Sequence, residues 1–210
     1  DELTYRKFKY KMLDNDTAEI CGYTGKDTVV TIPESINSVP VTSIGRTAFS
    51  SCKIKEVTIP NTVRSIKWWA FYGCSSLEKV NLNFGLKTVG YGAFMNCKRL
   101  KSVSIPMSVT QICDDSFAVD CTTKTGVFDS YSKQTISTQQ YEVDSAFTLK
   151  GYSGTVAEKY CNDSSLNFVS AGEVTYGDVD GSGEVDAHDA KLAKSLIGSI
   201  PTEEQLTKAD

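Results

Sequence analysis

Histidine is almost absent from this sequence, since His188 is the only one among its 210 residues. Serine and cysteine nucleophiles depend on a histidine base, and His188 belongs to the acidic segment interpreted below as a metal loop. The motifs G-x-x-x-x-G-K-[ST] and G-x-G-x-x-G, which bind nucleotide phosphates, are also missing. A pair of carboxylates acting on glycosides needs no histidine, so composition alone leaves that alternative open. We nevertheless predict no catalytic residues and interpret the chain as a non-enzymatic protein.

Long apolar segments and paired cysteines are lacking too. No apolar run approaches the roughly 20 residues that cross a bilayer, which excludes a membrane span. Seven cysteines are present, but their odd number and the absence of any C-x-x-C pair argue against a disulfide framework or a zinc site. The chain opens at Asp1 without an initiator methionine or a signal peptide, so we expect a mature form or a trimmed fragment.

Charge is distributed unevenly along the chain. Residues 50–105 contain nine Lys or Arg and two Glu, whereas residues 173–210 contain nine acidic residues and three Lys. The basic stretch allows two interpretations, a surface that binds anionic polymers or, more commonly, a solvated charged face. We predict no nucleic-acid partner.

A repeat of 22 to 23 residues is the main feature that is present. Ala-Phe or Ser-Phe pairs recur with phenylalanines at separations of 22, 23 and 23, and a β-branched residue precedes each phenylalanine by five positions. Strand-like runs also recur, at 29–33, 57–60, 80–82 and 103–106. The repeated positions are Phe49, Phe71, Phe94 and Phe117, and the F-x-x-C cysteines are Cys52, Cys74 and Cys97.

Units this short cannot enclose their own apolar faces, so neighbouring units must stack and share one core. Residues 57–79 and 80–102 closely resemble the BspA-type leucine-rich repeat, with the pattern S-I-x-x-x-A-F-x-x-C-x-x-L-x-x-V-x-I-P. About four units match, over roughly residues 29–125. The resemblance implies an α/β repeat solenoid, in which we interpret the cysteines as a ladder of small buried side chains rather than as disulfides or reactive thiols.

The flanks of the repeats are predicted to cap the solenoid. Strand-like runs at 3–13 and 18–23, separated by Asp14-Asn15-Asp16, indicate an N-terminal hairpin. After the repeats we predict a strand at 147–151, a short helix at 155–161 and a final strand at 166–169. The phrase at 151–160 is similar to the closing element of BspA-type arrays, and residues 122–141 are interpreted as an irregular final repeat.

An acidic segment near the C-terminus fits a calcium-binding loop of EF-hand type. Calcium prefers oxygen ligands, and alternating loop positions provide them, with a backbone carbonyl at position 7 and a glycine at position 6. Four carboxylates this close would repel one another without a cation, so we expect calcium to order the segment. The predicted ligands are Asp178, Asp180, Ser182, Glu184, Asp186 and Asp189. A solvated acidic turn is the alternative.

A calcium loop with Asp at position 12, no entering helix and one exiting helix resembles the first half of a type I dockerin. The resemblance implies calcium-dependent docking to a cohesin domain of a scaffoldin in a cellulosome, a secreted complex that degrades plant polysaccharides. Asp210 would be position 1 of a second loop, so we expect the dockerin to be truncated after its first calcium repeat. The resemblance implies a partner-binding face formed by Ala187, His188, Lys191, Leu192, Lys194, Ser195 and Ser199. A solvated helix face would explain these residues equally well.

Trp68, Trp69 and Tyr91 occupy the two positions that precede the repeated Ala-Phe pair. Other units place polar residues or glycine there, which indicates partial exposure. Beside Lys67 and Lys87, these aromatics would grip a protein or carbohydrate partner, although packing along a solenoid edge is the commoner arrangement.

We therefore predict four parts: an N-terminal β-hairpin cap (1–28), BspA-type repeats (29–125), an irregular repeat with a C-terminal cap (126–172) and a small α-helical dockerin-like calcium module (173–210). The predicted function is that of a secreted, extracellular, non-catalytic protein, which recognises an unknown protein or carbohydrate and docks to a cohesin. Two alternatives remain open. One is a bacterial surface adhesin with a structural calcium site, and the other is a fragment of a larger cellulosomal enzyme.

Overall fold

The structure is a computed structural model, and it describes residues 2–13, 16–117, 120–129, 134–142 and 144–171. In chain order, the described elements are β1 (Leu3–Tyr5), β2 (Phe8–Met12), β3 (Ala18–Tyr23), β4 (Val29–Thr31), β5 (Ser35–Ile36), β6 (Val39–Ile44), β7 (Glu56–Thr58), β8 (Ser65–Ile66), β9 (Lys79–Asn81), β10 (Thr88–Val89), β11 (Ser102–Ser104), β12 (Gln111–Ile112), β13 (Asp120–Asp129), β14 (Gln134–Glu142), β15 (Thr148–Gly151), α1 (Val156–Ser164) and β16 (Asn167–Ser170).

The β-branched residues that precede each repeated phenylalanine form the first parallel sheet. Its strands follow the order β1-β2-β3-β6-β8-β10-β12, and pairing is parallel from β3 onwards. Ile44, Ile66, Val89 and Ile112 stand directly opposite one another in this ladder. Branched side chains suit such a sheet because they pack well on a pleated surface. The repeat period therefore becomes a stack of strands in strict register.

The strand-like runs that close each unit form a second set of parallel ladders. Strands β4, β7 and β9 pair with Val30, Val57 and Val80 in register, and β11, β15 and β16 form a further ladder. The three valines are buried, whereas flanking residues such as Val29 face outward. This alternation turns one side of each strand towards the core shared with the first sheet.

The segments that contain the Ala-Phe pairs are turns rather than helices. Along these segments, backbone N–H groups donate hydrogen bonds alternately within the unit and to the next unit. The N–H of Ala48 donates to the carbonyl of Gly45 in its own unit, and the N–H of Phe49 donates to the carbonyl of Ala70 in the next unit, at 2.7 Å. The residue two positions before each repeated phenylalanine has a positive φ; these residues are Thr47, Trp69, Gly92 and Asp115. In the first three units, the residue two positions after the phenylalanine also has a positive φ; these residues are Ser51, Gly73 and Asn96. A right-handed helix requires negative φ throughout, so these residues cannot form one.

This finding corrects the α/β description of the solenoid. The described repeats are built from strands and turns, and α1 is the single helix among the residues that the structure describes. The described repeats form a β-solenoid, and α/β states its class too loosely. No helix in the described ranges has the length and apolarity that crossing a bilayer requires.

A column of stacked aromatic rings fills the core. Phe49, Phe71, Phe94 and Phe117 stack with centroid separations of 5.0, 5.1 and 5.4 Å. Tyr23 of the N-terminal hairpin extends the column at one end, since its ring stacks on Phe49 at 5.4 Å. Phe147 extends it at the other end, at 5.4 Å from Phe117. The capping segments are therefore continuous with the repeat core.

The cysteine ladder also forms as expected. Cys74 donates its thiol hydrogen to Phe49 O at 3.0 Å, and Cys97 donates to Phe71 O at 3.2 Å. Burial raises the pKa of Cys52 to about 11, which keeps this thiol protonated. Among the cysteines whose side chains the structure describes, all six are free thiols: Cys21, Cys52, Cys74, Cys97, Cys113 and Cys161.

The capping elements agree with the patterns that predicted them. Strands β2 and β3 form the expected antiparallel hairpin, although the first run is interrupted at Arg6, whose φ is 54°. Helix α1 begins after Thr155 and is followed by Ser165 in the left-handed conformation. Strands β15 and β16 lie on either side of it in the chain and pair in parallel.

We expected residues 122–141 to form an irregular final repeat. Instead, β13 and β14 pair with each other in an antiparallel hairpin, with a register shift between Lys124 and Val127. Alternating threonine, serine and glutamine residues favour extended backbone, but they provide no apolar residue at the repeat's core positions. The hairpin is an insertion in the chain between β12 and β15, and the stack itself continues, because β11 pairs with β15 and Phe117 stacks on Phe147.

Candidate recognition surface

The predicted calcium ligands and the predicted cohesin-binding residues lie outside the described residues. The ligands are Asp178, Asp180, Ser182, Glu184, Asp186 and Asp189, and the cohesin-binding face is Ala187, His188, Lys191, Leu192, Lys194, Ser195 and Ser199. Both sets remain predictions from the sequence. Within the part of the chain that the structure describes, the aromatic residues near the repeated phenylalanines form the candidate site.

One residue per unit stands three positions before the repeated phenylalanine, and its side chain is exposed in three of the four units and half-buried at Tyr91. These residues are Arg46, Trp68, Tyr91 and Asp114, and we call them the stripe. Backbone hydrogen bonds hold the units in register at this position, because Thr47 N, Trp69 N and Gly92 N donate to the carbonyls of Trp68, Tyr91 and Asp114. The stripe thus runs across four stacked units on a rigid hydrogen-bonded support.

The centre of the stripe is aromatic and exposed. Trp68 is 55% exposed, while Trp69 and Tyr91 are partly buried. The rings meet edge to face, with Tyr91 at 6.4 Å from Trp68 and 6.0 Å from Trp69. Trp69 and Tyr91 therefore pack along the edge of the solenoid, whereas Trp68 faces solvent.

Trp69 is held in an unusual backbone conformation beneath this surface. Its φ is 57°, which is unfavourable for a bulky residue. The guanidinium of Arg46 lies 4.7 Å from the centre of its ring, a cation–π contact. A Cβ atom at Gly92 would come within 2.6 Å of Trp69 Cδ1, so only glycine leaves room for the ring there.

A buried carboxylate lies behind the Arg46 end of the stripe. Glu19 is only 2% exposed, and it accepts bonds from Lys67, from Lys11 at 2.9 Å and from Ser43 at 2.8 Å. Burial alone would raise the pKa of Glu19, but the bonds from Lys67, Lys11 and Ser43 outweigh it, and the pKa lies below its ordinary value. At Gly45, a Cβ atom would come within 2.9 Å of the Glu19 carboxylate.

Sequence reasoning missed this carboxylate and its bond to Lys67. We expected the aromatics, beside Lys67 and Lys87, to grip a partner, and that remains a prediction. Lys67 forms an ion pair with Glu19, and Lys87 is exposed immediately before β10. The available signal was Glu19 itself, a charged residue between Ala18 and Ile20 in a strand whose neighbours are apolar.

The opposite end of the stripe carries negative charge. Asp114 is exposed, and Asp115, next to it, is hydrogen-bonded to Tyr91. Burial and the neighbouring charge of Asp114 raise the pKa of Asp115, against the lowering effect of the Tyr91 bond. The stripe therefore runs from the cation of Arg46, over the exposed ring of Trp68 and the half-buried ring of Tyr91, to the carboxyl group of Asp114, beside which lies Asp115.

The repeats match a known family and solved structures. The model of the BspA type leucine rich repeat region matches in six copies over residues 23–146, two copies more than the sequence pattern alone suggested. A leucine-rich repeat protein from Bacteroides capillosus is 31% identical, with 54% of this chain and 88% of that chain covered and a TM-score of 0.52. The T. pallidum leucine rich repeat protein is 20% identical, with 93% and 96% covered and a TM-score of 0.52, a likeness of fold alone. No curated protein matches the chain.

Proposed function

This chain belongs to the BspA-type leucine-rich repeat family, and on that premise we propose that it is a non-catalytic protein whose repeats recognise another protein. The observation that carries this proposal is the exposure of Trp68, 55%, at the centre of a stripe fixed by inter-unit hydrogen bonds. Exposed aromatic residues on a rigid support are favourable binding anchors, because they bury a large apolar area with little loss of conformational entropy.

The repeats are suited to binding because their surface side chains vary while the core is constant. The stripe position holds four different residues in four units, whereas the core position three residues later is phenylalanine in all of them. The residues of the stripe can therefore differ between units without any change in the phenylalanines of the core.

Selection of peptides on the purified chain tests this role. A displayed library of random 12-residue peptides would be selected on the wild-type chain, on Trp68→Ala and on Val169→Ala. Val169 is a matched control, because it is 50% exposed but lies on β16 rather than on the stripe. We expect sequences that bind the wild type and Val169→Ala but not Trp68→Ala.

Enrichment of sequences that bind all three proteins alike would contradict recognition at the stripe. A glycan array probed with the same three proteins provides the competing outcome. Binding of a glycan that requires Trp68, without any Trp68-dependent peptide, would assign the repeats to carbohydrate instead of protein.

Residues 173–210 extend the proposal to calcium-dependent docking. The support is the spacing of oxygen ligands, in which Asp178, Asp180, Ser182, Asp186 and Asp189 would offer side chains and Glu184 its carbonyl to a calcium ion. Calcium would neutralise the carboxylates and order the loop. Ala187, His188 and the following helix positions would then contact a cohesin domain of a scaffoldin. In this role the chain is secreted and acts at a cellulosome or at the cell surface.

Calorimetry with cohesins separates docking from its rivals. The full-length protein should bind a cohesin in calcium and lose binding in chelator, and replacing both Asp178 and Asp189 by alanine should abolish the calcium-dependent part. Absence of cohesin binding together with a calcium-dependent melting temperature would favour a surface adhesin with a structural calcium site. A catalytic domain elsewhere in the full open reading frame would identify the chain as part of a larger enzyme.

A further inference from the structure

The stripe has opposite charges at its two ends, and this polarity restricts what it can bind. Arg46 marks one end. The nearby carboxylate of Glu19 is paired with two lysines, Lys11 and Lys67, so these three residues together add no net negative charge there. Asp114 and Asp115 mark the other end. A ligand that spans the stripe gains most when its own charges are reversed in order, negative beside Arg46 and positive beside Asp114.

The length of the stripe sets the spacing of those charges. Arg46 and Asp114 are three units apart, and adjacent parallel strands lie about 4.8 Å from each other, so the two positions are separated by about 14 Å. An extended peptide rises about 3.3 Å per residue, and four residues cover about 13 Å. Side chains at alternate positions of an extended peptide point to the same side. An acidic residue, an apolar residue and a basic residue at positions i, i+2 and i+4 would therefore match Arg46, the aromatic centre and Asp114.

The ring geometry favours a peptide over a sugar. Tyr91 meets Trp68 and Trp69 at interplanar angles of 67° and 73°, so the three rings do not form one flat platform. The guanidinium of Arg46 also occupies the space over the ring of Trp69. An apolar side chain fits between edge-to-face rings, whereas a pyranose ring stacks best on an open aromatic face.

We infer that the stripe of Arg46, Trp68, Tyr91 and Asp114 binds an extended peptide segment with an acidic residue, an apolar residue and a basic residue at alternate positions. This inference rests on the proposed recognition role and adds the chemistry of the partner. It assigns the two ends of the stripe to charge selection and the centre to apolar contact.

Three synthetic peptides test the assignment. They are Glu-Thr-Leu-Thr-Arg, Glu-Thr-Leu-Thr-Glu and Arg-Thr-Leu-Thr-Arg with blocked termini, and they differ only in the charges at their ends. Binding would be followed by NMR through the indole N–H signal of Trp68, assigned with Trp68→Phe. The wild-type chain should prefer the mixed peptide roughly threefold to fivefold over each of the others, the range expected for exposed charge pairs.

Charge reversal in the protein should then switch the preference. Arg46→Glu makes both ends negative, so this variant should prefer the peptide with two arginines. Asp114→Lys combined with Asp115→Asn makes both ends positive, and this variant should prefer the peptide with two glutamates. Adding Arg46→Glu to it should restore the preference for the mixed peptide, bound in the opposite direction. The variant with Asp114→Lys and Asp115→Asn carries the test if loss of the Arg46–Trp69 contact lowers the stability of Arg46→Glu.

The outcomes separate this inference from the proposed function. A Trp68 signal that responds equally to all three peptides, in the wild type and in both variants, would overturn charge selection but leave recognition at the stripe standing. No Trp68 response to any peptide, combined with no Trp68-dependent sequence from the random library, would overturn both.

Discussion

Two positions of the same repeat, only three residues apart, are used in opposite ways. At one position Phe49, Phe71, Phe94 and Phe117 are buried and stack at 5.0 to 5.4 Å. At the other, the stripe holds an arginine, a tryptophan, a tyrosine and an aspartate, and the chain exposes most of them. Both positions share the same turn and the same inter-unit hydrogen bonds. Backbone geometry therefore sets where a side chain stands, and contact with neighbouring units decides which residue can stand there.

The strongest test of this contrast removes one ring from the buried column. Phe71→Ala should lower the free energy of unfolding by about 3 to 5 kcal/mol, because Phe71 is fully buried between Phe49 and Phe94 and the cavity cannot collapse easily. Tyr72→Ala is the matched control, since Tyr72 is the next residue in the chain and is 37% exposed. Urea unfolding measures both. Equal losses in the two variants would contradict the distinction between buried and exposed positions.

A smaller loss is expected from the buried carboxylate behind the stripe. Glu19→Gln should lower the free energy of unfolding by about 2 kcal/mol at neutral pH, because charge-assisted bonds from Lys11 and Lys67 are weakened. The exposed Glu34→Gln provides the control. Urea unfolding at a series of pH values measures the effect.

The pH dependence of this effect has a defined sign. The pKa of Glu19 is lower in the folded chain than its ordinary value, so its stabilisation is present above the unfolded pKa of about 4.3. That stabilisation is lost as the pH falls through the folded pKa. Wild type and Glu19→Gln should therefore converge in stability once the pH has fallen below the folded pKa of Glu19. A difference that stays constant into acid would show that the carboxylate charge is not responsible.

Gly92 lies between the two positions and links them. Gly92→Ala should cost about 2 kcal/mol, because φ is 57° and the new methyl group would meet Trp69 at 2.6 Å. Gly154→Ala isolates the backbone contribution, since φ is 78° there and no atom lies within 4 Å. It should cost about 1 kcal/mol, as read from thermal unfolding. If both substitutions cost the same, Trp69 does not press on Gly92.

The periodic features of the fold could be predicted from the sequence. The β-branched residues, the valine strands and the cysteines recur at fixed spacing, and stacking them in register reproduces the observed ladders. The hairpin at 8–23 and the helix after Thr155 follow from local turn and strand patterns. Such features depend on residues close together in the chain, where patterns are informative.

The features that sequence reasoning missed depend on contacts between distant residues. The turns around Ala-Phe take left-handed conformations even at Thr47 and Trp69, which their side chains disfavour, because alternate N–H groups must find a carbonyl in the next unit. The bond between Glu19 and Lys67 joins residues 48 positions apart. The calcium loop at 178–189 stays a prediction from spacing.

The most direct measurement is the effect of Trp68→Ala on stability and on binding in the same preparation. The free energy of unfolding should change by no more than about 0.5 kcal/mol, because Trp68 is exposed and its removal leaves the phenylalanine column intact. Affinity for a peptide selected on the wild-type chain should fall at least tenfold, as expected for an exposed aromatic anchor. A large loss of stability with unchanged affinity would contradict the account, since Trp68 would then serve the fold and not recognition.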